Sequence, residues 1–398
     1  MTDVLAPVET PTSLLDTIPT LEPVIRAGLD DLERGILPAE IMRAVEEAGI
    51  LDVWIPSKVS GKEADPVDWL KAVEAIARID ASVGWAVIVL SGHVRLLTVD
   101  HYTRFSELTD GRVLPAFASA PRGRAVAVEG GYRVTGRWPF ASGSTYATWH
   151  GGVATVVAED GTPQMAPNGL HPMMIQVMWP ADQGKIVETW DGLGLRGTAS
   201  HDIEVEDLFV PDGQALLEPF PLRAEHATER VRELGVLAHG THALGLARGA
   251  LDEFQRIVAS KPIPGSRTAA VMGHTESHRI AFAKADALLR AARSLLYGAV
   301  EDALVAAAHD ELPMDHRVAV RQANIFAVRS CREVVDEIFK IAGTSAVYRG
   351  RVIERAFRDM STAANHNLPL ESSYESVGAY MLTKNSSEGP VSVGTPFF

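Results

Sequence analysis

Val126-Ala127-Val128-Glu129-Gly130-Gly131-Tyr132-Arg133-Val134-Thr135-Gly136-Arg137-Trp138 is the stretch on which the fold turns. Val126 and Val128 alternate with a small residue, Gly130-Gly131 turns the chain, and Tyr132 and Val134 alternate again. Period-two apolar spacing on both sides of a glycine turn predicts a β-hairpin. Strand-like runs follow at residues 153–158, 173–179, 185–190 and 202–210, separated by turn residues such as Asp160-Gly161 and Asp182-Gln183-Gly184. Residues 112–213 therefore read as a central antiparallel β domain.

The flanks have the other period. Pro38 precedes a helical run at residues 39–48 whose apolar stripe is Ile41, Val45 and Ala48, with Gly49 just past its end. Proline at the start and glycine past the end are helix punctuation. Pro66 opens a second helix carrying Trp69, Val73, Ile76 and Ala77. The apolar run 83–90 reads as a buried helix, although its Val and Ile content also suits a strand. Residues 1–111 form an N-terminal helical domain on this reading. Beyond residue 214, apolar positions 281, 285, 288, 292, 295 and 299 predict one core-facing seam. A long helix over 315–342 carries Val328, Val335 and Ile338, with Gly343 as its stop. Long antiparallel helices predict a C-terminal four-helix bundle across 214–398, ending in a loose Ser/Gly/Pro-rich tail. The whole is an α+β chain of three domains.

The chain has 398 residues, 46% of them hydrophobic, which is ample for a core. Its 51 acidic against 37 basic residues give a net charge of −14, which excludes backbone-driven nucleic-acid binding. A single cysteine, Cys331, rules out an internal disulfide and a cysteine-rich metal site; within a helical pattern it reads as a buried, inert thiol. The first twenty residues lack any basic residue, and no run of about 18 apolar residues exists to span a membrane. A cytoplasmic enzyme is the expectation.

Two motifs look chemical without fitting their usual chemistry. Gly192-Leu193-Gly194-Leu195-Arg196-Gly197 matches a dinucleotide fingerprint, yet a strand-like run follows it where that site needs a helix. Its glycines still imply a tight backbone path beside which a flat ligand can lie. His274 and His278 have metal-ligand spacing but no evident third ligand, and read as solvent-facing. His239 and His242 receive the same reading, with one of them able to face a cavity.

Gly136-Arg137-Trp138-Pro139-Phe140-Ala141-Ser142-Gly143-Ser144, followed by Ala147-Thr148-Trp149, resembles the flavin-facing strand and loop of the acyl-CoA dehydrogenase superfamily. Residues 190–200, the Val210-Pro211 strand end, Ile79-Asp80-Ala81-Ser82-Val83-Gly84-Trp85, Ala342-Gly343-Thr344, Arg358-Asp359 and His366 resemble further motifs of that superfamily, in order, over residues 37–382. The fold implied is its helical–β–helical build. The branch most similar is that of the two-component flavin monooxygenases, which includes phenol and steroid-phenol hydroxylases, dibenzothiophene monooxygenase and amino-sugar N-oxygenases.

That resemblance implies reduced flavin (FMN or FAD) as cofactor, O2 as co-substrate, and a separate NAD(P)H flavin reductase. It implies a small phenolic, sulfur- or nitrogen-containing substrate oxidised through a C4a-hydroperoxide, and a homotetramer. By motif position it makes Ser142 the hydroxyl donor at flavin N5 and His366 the base facing substrate. Trp138, Phe140, Gly143, Arg196, Gly197 and Thr198 would contact the cofactor, and Gly343-Thr344 would approach the neighbouring subunit's flavin. Arg267 is a weaker candidate for a phosphate contact. The dehydrogenases place a glutamate shortly after the Arg-Asp pair; here that stretch is Asn365-His366-Asn367-Leu368-Pro369, with Glu371 the nearest carboxylate. An imidazole of pKa about 6.5 can take a phenolic proton at neutral pH. An FAD-dependent acyl-CoA dehydrogenase or oxidase, with its base on another helix, and a non-catalytic binding protein remain the alternatives.

Overall fold

A computed structural model describes residues 13–55, 59, 65–217, 230–231, 234–263 and 270–387. Arg267 and the end of the C-terminal tail lie outside the described residues. The N-terminal layer contains α1 (Ile18–Ala27), α2 (Leu29–Glu33), α3 (Ala39–Glu47), α4 (Pro66–Ile79), α5 (Ala81–Gly92) and α6 (Val99–Leu108). Seven strands follow: β1 (Pro115–Val128), β2 (Gly131–Ala141), β3 (Trp149–Val157), β4 (Met174–Pro180), β5 (Lys185–Val187), β6 (His201–Pro211) and β7 (Ala215–Leu217). The C-terminal layer holds α7 (Leu234–Ser260), α8 (Glu276–Ala306), α9 (Met314–Ala342), α10 (Val352–Ala363) and α11 (Tyr374–Thr383). This is the acyl-CoA dehydrogenase-like arrangement of helices, sheet and helices. None of the described helices is long and apolar enough to cross a membrane.

The predicted hairpin is present, with β1 and β2 antiparallel and Val128 opposite Gly131. The strands form one sheet in the order β5-β6-β2-β1-β3-β4-β7. The sheet departs from the antiparallel expectation at one place: β3 lies parallel to β1. Its cause is local. β2 ends at the edge where β1 begins, and residues 142–148 cross over that edge, so β3 starts alongside the start of β1. The most chemically loaded loop of the sequence is thus a strand crossover. The strand read at 185–190 stops at Val187, because the Thr189 and Trp190 amides donate to His201 Nδ1 (3.2 and 3.1 Å) and not to a neighbouring strand.

Trp138 organises the sheet interior. It is fully buried beside Trp179 and donates its indole N–H to the Val153 carbonyl at 2.8 Å. Glycines on three strands make room for it. A Cβ added at Gly123, Gly136 or Gly152 would stand 2.2, 2.6 or 2.6 Å from the indole.

The run 83–90 is helical, as α5. Ten of the twelve residues of α5 are buried, which explains its apolar character on every face. Close backbone approach packs the helical layers. A Cβ at Gly84 of α5 would stand 2.9 Å from the Ala77 Cβ, and one at Gly245 of α7 would stand 2.0 Å from the Glu74 carbonyl of α4. In α8 the seam sits about one position away from the expectation. Ala285 and Ala292 are buried as predicted, but Leu289, Leu296, Val300 and Ala303 complete the row. Leu295 is 46% exposed instead. Ala281 and Leu288 are only half-buried, so the row that faces the neighbouring helices lies one position on from 281, 288 and 295. In α9, Val328, Val335 and Ile338 are buried, as is Cys331, whose thiol pKa burial raises. Gly343 ends α9 with φ +55°.

Gly152→Ala is expected to destabilise by about 1–3 kcal/mol, because the new methyl overpacks against Trp138. Gly298→Ala in α8, where nothing lies within 4 Å, should be neutral or stabilising. Urea denaturation of the two variants makes the comparison.

Candidate functional site

The site begins with a bulge. Between Trp138, opposite Ile203, and Ala141, opposite His201, β2 holds one residue more than β6. Phe140 takes up the slack in the left-handed region, with φ +64°. Strand alternation would have put Phe140 on the same face as Trp138; the bulge turns it outward. Phe140 is 69% exposed and meets Trp190 edge-on at 6.2 Å. The loop at 190–200 is strained in the same way. Leu195 and Ala199, at φ +50° and +45°, bracket a single 3-10 turn at Arg196–Thr198. Non-glycine residues in this region cost roughly 1–3 kcal/mol each and gather at functional sites.

Where the two loops meet lies a buried chain of hydroxyls. Ser142 Oγ is 2.6 Å from Ser200 Oγ, and Ser200 Oγ is 2.6 Å from Thr198 Oγ1. Thr198 donates to the Leu195 carbonyl at 2.8 Å. The Gly143 amide donates to the Thr198 carbonyl at 2.9 Å, fastening the loops together. From α5, Trp85 donates its indole N–H to Ser142 Oγ at 3.2 Å.

Three imidazoles surround Trp85. His239, His242 and His366 meet it edge-on, with centroids at 5.1, 5.3 and 5.4 Å. His239 stacks on His366 at 4.5 Å, 20° from parallel. His242 is pinned: its Nε2–H donates to the Ala81 carbonyl at 2.8 Å, at the start of α5. Burial, with the facing His239, pushes His366 down to about 3, so its imidazole is neutral at pH 7. The Leu368 amide lies 3.4 Å from His366 Nδ1, too far to commit the ring to one tautomer.

The Arg-Asp pair before His366 is a clamp. Asp359 of α10 is buried and accepts from the Leu195 amide at 2.6 Å; Arg355 lies between it and Asp80. Asp80 also caps α5 by accepting from the Val83 amide at 3.0 Å. Arg358 binds Glu33 and Glu354 and donates to the Leu193 carbonyl. A Cβ at Gly194 would stand 2.1 Å from the Arg358 carbonyl, so this position admits only glycine. Burial and the neighbouring Asp80 raise Asp359 to about 7, against the pull of Arg355.

The structure sorts the expected residues. Ser142 and His366 both touch Trp85, Thr198 reaches Ser142 through Ser200, and Phe140 stands exposed against Trp190. Trp138 does not join them: its ring is buried in the sheet core beside Trp179. Arg196 spends its guanidinium on the Glu33 and Gly192 carbonyls and on Asp191. Gly197 gives its open side to Leu32, where a Cβ would meet Cδ2 at 2.5 Å. Gly343 and Thr344 lie on an exposed turn, where Lys261 donates to Thr344 at 3.5 Å, apart from the Trp85 cluster. Glu371 is exposed and faces Arg329 and Tyr374. His274 is exposed, whereas His278 is half-buried and stacks on Phe254. Trp85 and Ser200 were not singled out from sequence, although both stand inside quoted motifs. His239 and His242, expected to face solvent with one able to face a cavity, are both buried and pack against Trp85.

Acid should unfold the protein in a definite window. His93 and His242, at about 4, and His366, at about 3, are depressed mainly by burial. The unfolded chain takes up protons on them near pH 6.5 and the native state does not. The stability they confer is therefore complete above pH about 6.5 and lost as pH falls towards 4. Asp359 acts oppositely: its contribution is present below about 4 and lost as pH rises through 7. Three imidazoles outweigh one carboxyl, so stability should fall between pH 6.5 and 4. His366→Gln should make the slope shallower by about one proton, or 1.4 kcal/mol per pH unit, in urea midpoints taken across that range. Asp359→Ala, which leaves the buried Leu195 amide without its acceptor while Arg355 keeps Asp80 and Glu33, should cost about 1–3 kcal/mol in the same assay at pH 7.

Residues 21–119 match the N-terminal domain of the acyl-CoA dehydrogenases and residues 237–369 match a C-terminal domain of that family. Indole-3-acetate monooxygenase of Pseudomonas putida is 28% identical over 95% of this chain and 97% of its own. The oxygenase subunit HsaA, a flavin-dependent monooxygenase of Rhodococcus jostii, is 28% identical over 85% of this chain and 88% of its own. Among solved structures, XiaF from a Streptomyces species, in complex with FADH2 and glycerol, shares the fold at a TM-score of 0.81, with 22% identity over 92% of this chain and 93% of that one. The chain belongs to the acyl-CoA dehydrogenase family, among relatives that are flavin-dependent monooxygenases.

Proposed function

We propose that this chain is the oxygenase of a two-component flavin monooxygenase, acting on a small aromatic substrate with a phenolic O–H or a nitrogen or sulfur to be oxidised. One observation carries the reading: a neutral imidazole, His366, packs against Trp85, whose indole N–H donates to Ser142, and it occupies the stretch after the Arg-Asp pair where the dehydrogenases carry a glutamate. The residues present suit a flavin. Phe140 offers an exposed aromatic face at the mouth of the hydroxyl cluster, held there by left-handed backbone. Reduced flavin, FMN or FAD, supplies with O2 the oxygen atom delivered to the substrate.

The protein's own work is proton handling and positioning. His366 takes the phenolic proton, and the charge left on the substrate oxygen favours the imidazolium that forms. Trp85 and the imidazoles packed on it make a largely dry aromatic wall. Among the described residues no carboxylate is shown against that wall: Asp359 is engaged by the Leu195 amide and Arg355, and Glu371 faces Arg329 and Tyr374. The reductase is a separate protein on this reading, in keeping with the Rhodococcus relative, which is the oxygenase subunit of its monooxygenase. The same reading sets the chain in the cytoplasm, where reduced nicotinamide is available to the reductase. It makes the assembly a homotetramer built on the helical layer, which leaves Ile280, Leu295, Val347 and Tyr348 exposed in the single chain.

Chemically reduced FMN or FAD, air and a panel of phenols and indoles test the proposal. His366→Ala should cut product formation by about 10²–10⁴-fold while the variant still binds reduced flavin and still consumes O2, now releasing hydrogen peroxide. Failure of the wild-type chain to bind flavin in either redox state would sink the reading.

A further inference from the structure

The hydroxyl chain has a direction. A carbonyl oxygen carries no proton, so the 2.8 Å contact between Thr198 Oγ1 and the Leu195 carbonyl is bridged by the Thr198 proton. Thr198 has then no proton left for Ser200, and the 2.6 Å contact between them is bridged by the Ser200 proton. By the same step, the 2.6 Å contact between Ser142 and Ser200 is bridged by the Ser142 proton. Indole nitrogen only donates, so Trp85 fills one lone pair of Ser142 Oγ at 3.2 Å. Ser142 is left with one free lone pair and no free proton. Ser142, Ser200 and Thr198 are 6%, 5% and 0% exposed, so water has little access to reverse the chain.

We propose that Thr198 and Ser200 are positioning residues that turn Ser142 into an obligate hydrogen-bond acceptor, so that the site prefers reduced flavin over oxidised flavin. The inference rests on the flavin reading above and deepens it. Reduced flavin carries a hydrogen on N5 and can donate to the free lone pair. Oxidised flavin presents a bare N5 lone pair, which meets another lone pair and no proton. This reverses the donor role expected for Ser142 from sequence. It also gives a physical account of exchange: an oxygenase fed by a separate reductase must take up the reduced form and release the oxidised one. Trp85 contributes by filling the second lone pair, which leaves Ser142 a single direction in which to accept.

The test is the ratio of dissociation constants for oxidised and reduced flavin, measured with FMN and FAD by fluorescence, aerobically and under anaerobic photoreduction. It requires no turnover. The wild-type chain should bind the reduced form more tightly. Ser200→Ala frees the Ser142 proton to face N5, and Thr198→Val lets the chain reverse. Each should narrow the ratio roughly tenfold, about the worth of one buried hydrogen bond. Thr198→Ser keeps the terminal donor and should keep the ratio. Trp85→Phe removes a donor but leaves the Ser142 proton on Ser200, so the preference for reduced flavin should persist. A ratio unchanged within twofold in both Ser200→Ala and Thr198→Val overturns the relay while leaving the flavin reading intact. Binding of neither form by the wild-type chain overturns both.

Discussion

Arg355 is the group on which the site depends. Its guanidinium lies between Asp80, which caps α5, and Asp359, which holds the Leu195 amide. One cation therefore sets the position of the helix that presents Trp85, the strained loop that presents Thr198 and Ser200, and the helix that leads to His366. Two carboxylates and one guanidinium cannot leave water cheaply unless their geometry is satisfied. Here the Val83 and Leu195 amides, Glu33 and Arg358 complete the bonding. Removing Arg355 would leave the Asp80 and Asp359 carboxylates buried without their shared cation at the junction of three layers.

The fold was largely legible, because most of its elements advertise a period and a stop. The hairpin at Gly130-Gly131, the helix closed by Gly49 and the helix opened by Pro66 all lie where the residue pattern puts them. What failed was neighbour choice. Nothing in the spacing of α8 says which of its apolar rows meets α9, and nothing in β3 says that it pairs with β1 in parallel. Both are settled by packing between segments distant in sequence. The length of β5 was lost for a related reason: a single ring nitrogen of His201 withdraws two amides from the sheet.

The site was legible in part. Ser142 and His366 carried motif signals, and both side chains pack against Trp85. Trp138 carried an equal signal but is a core residue, because the bulge at Phe140 separates two aromatics that strand alternation would have kept together. Trp85 lay inside a quoted motif yet gave no sign of its role, since an indole in an apolar helix reads as core. Arg196 shows the converse: a cation between glycines looks available for a ligand, but three protein oxygens already hold it.

The contact between Gly194 and the Arg358 carbonyl has a mechanical meaning. Main chain rests on main chain there, with no side chain between to slide or change rotamer. The Gly194 amide also donates to Thr362, and Asp359 takes the next amide, so the loop between β5 and β6 is riveted to α10. Such a joint does not swing. Passage of a ring-shaped molecule must be accommodated at the mouth, by single residues such as Phe140 stepping aside, and not by the layers parting like jaws.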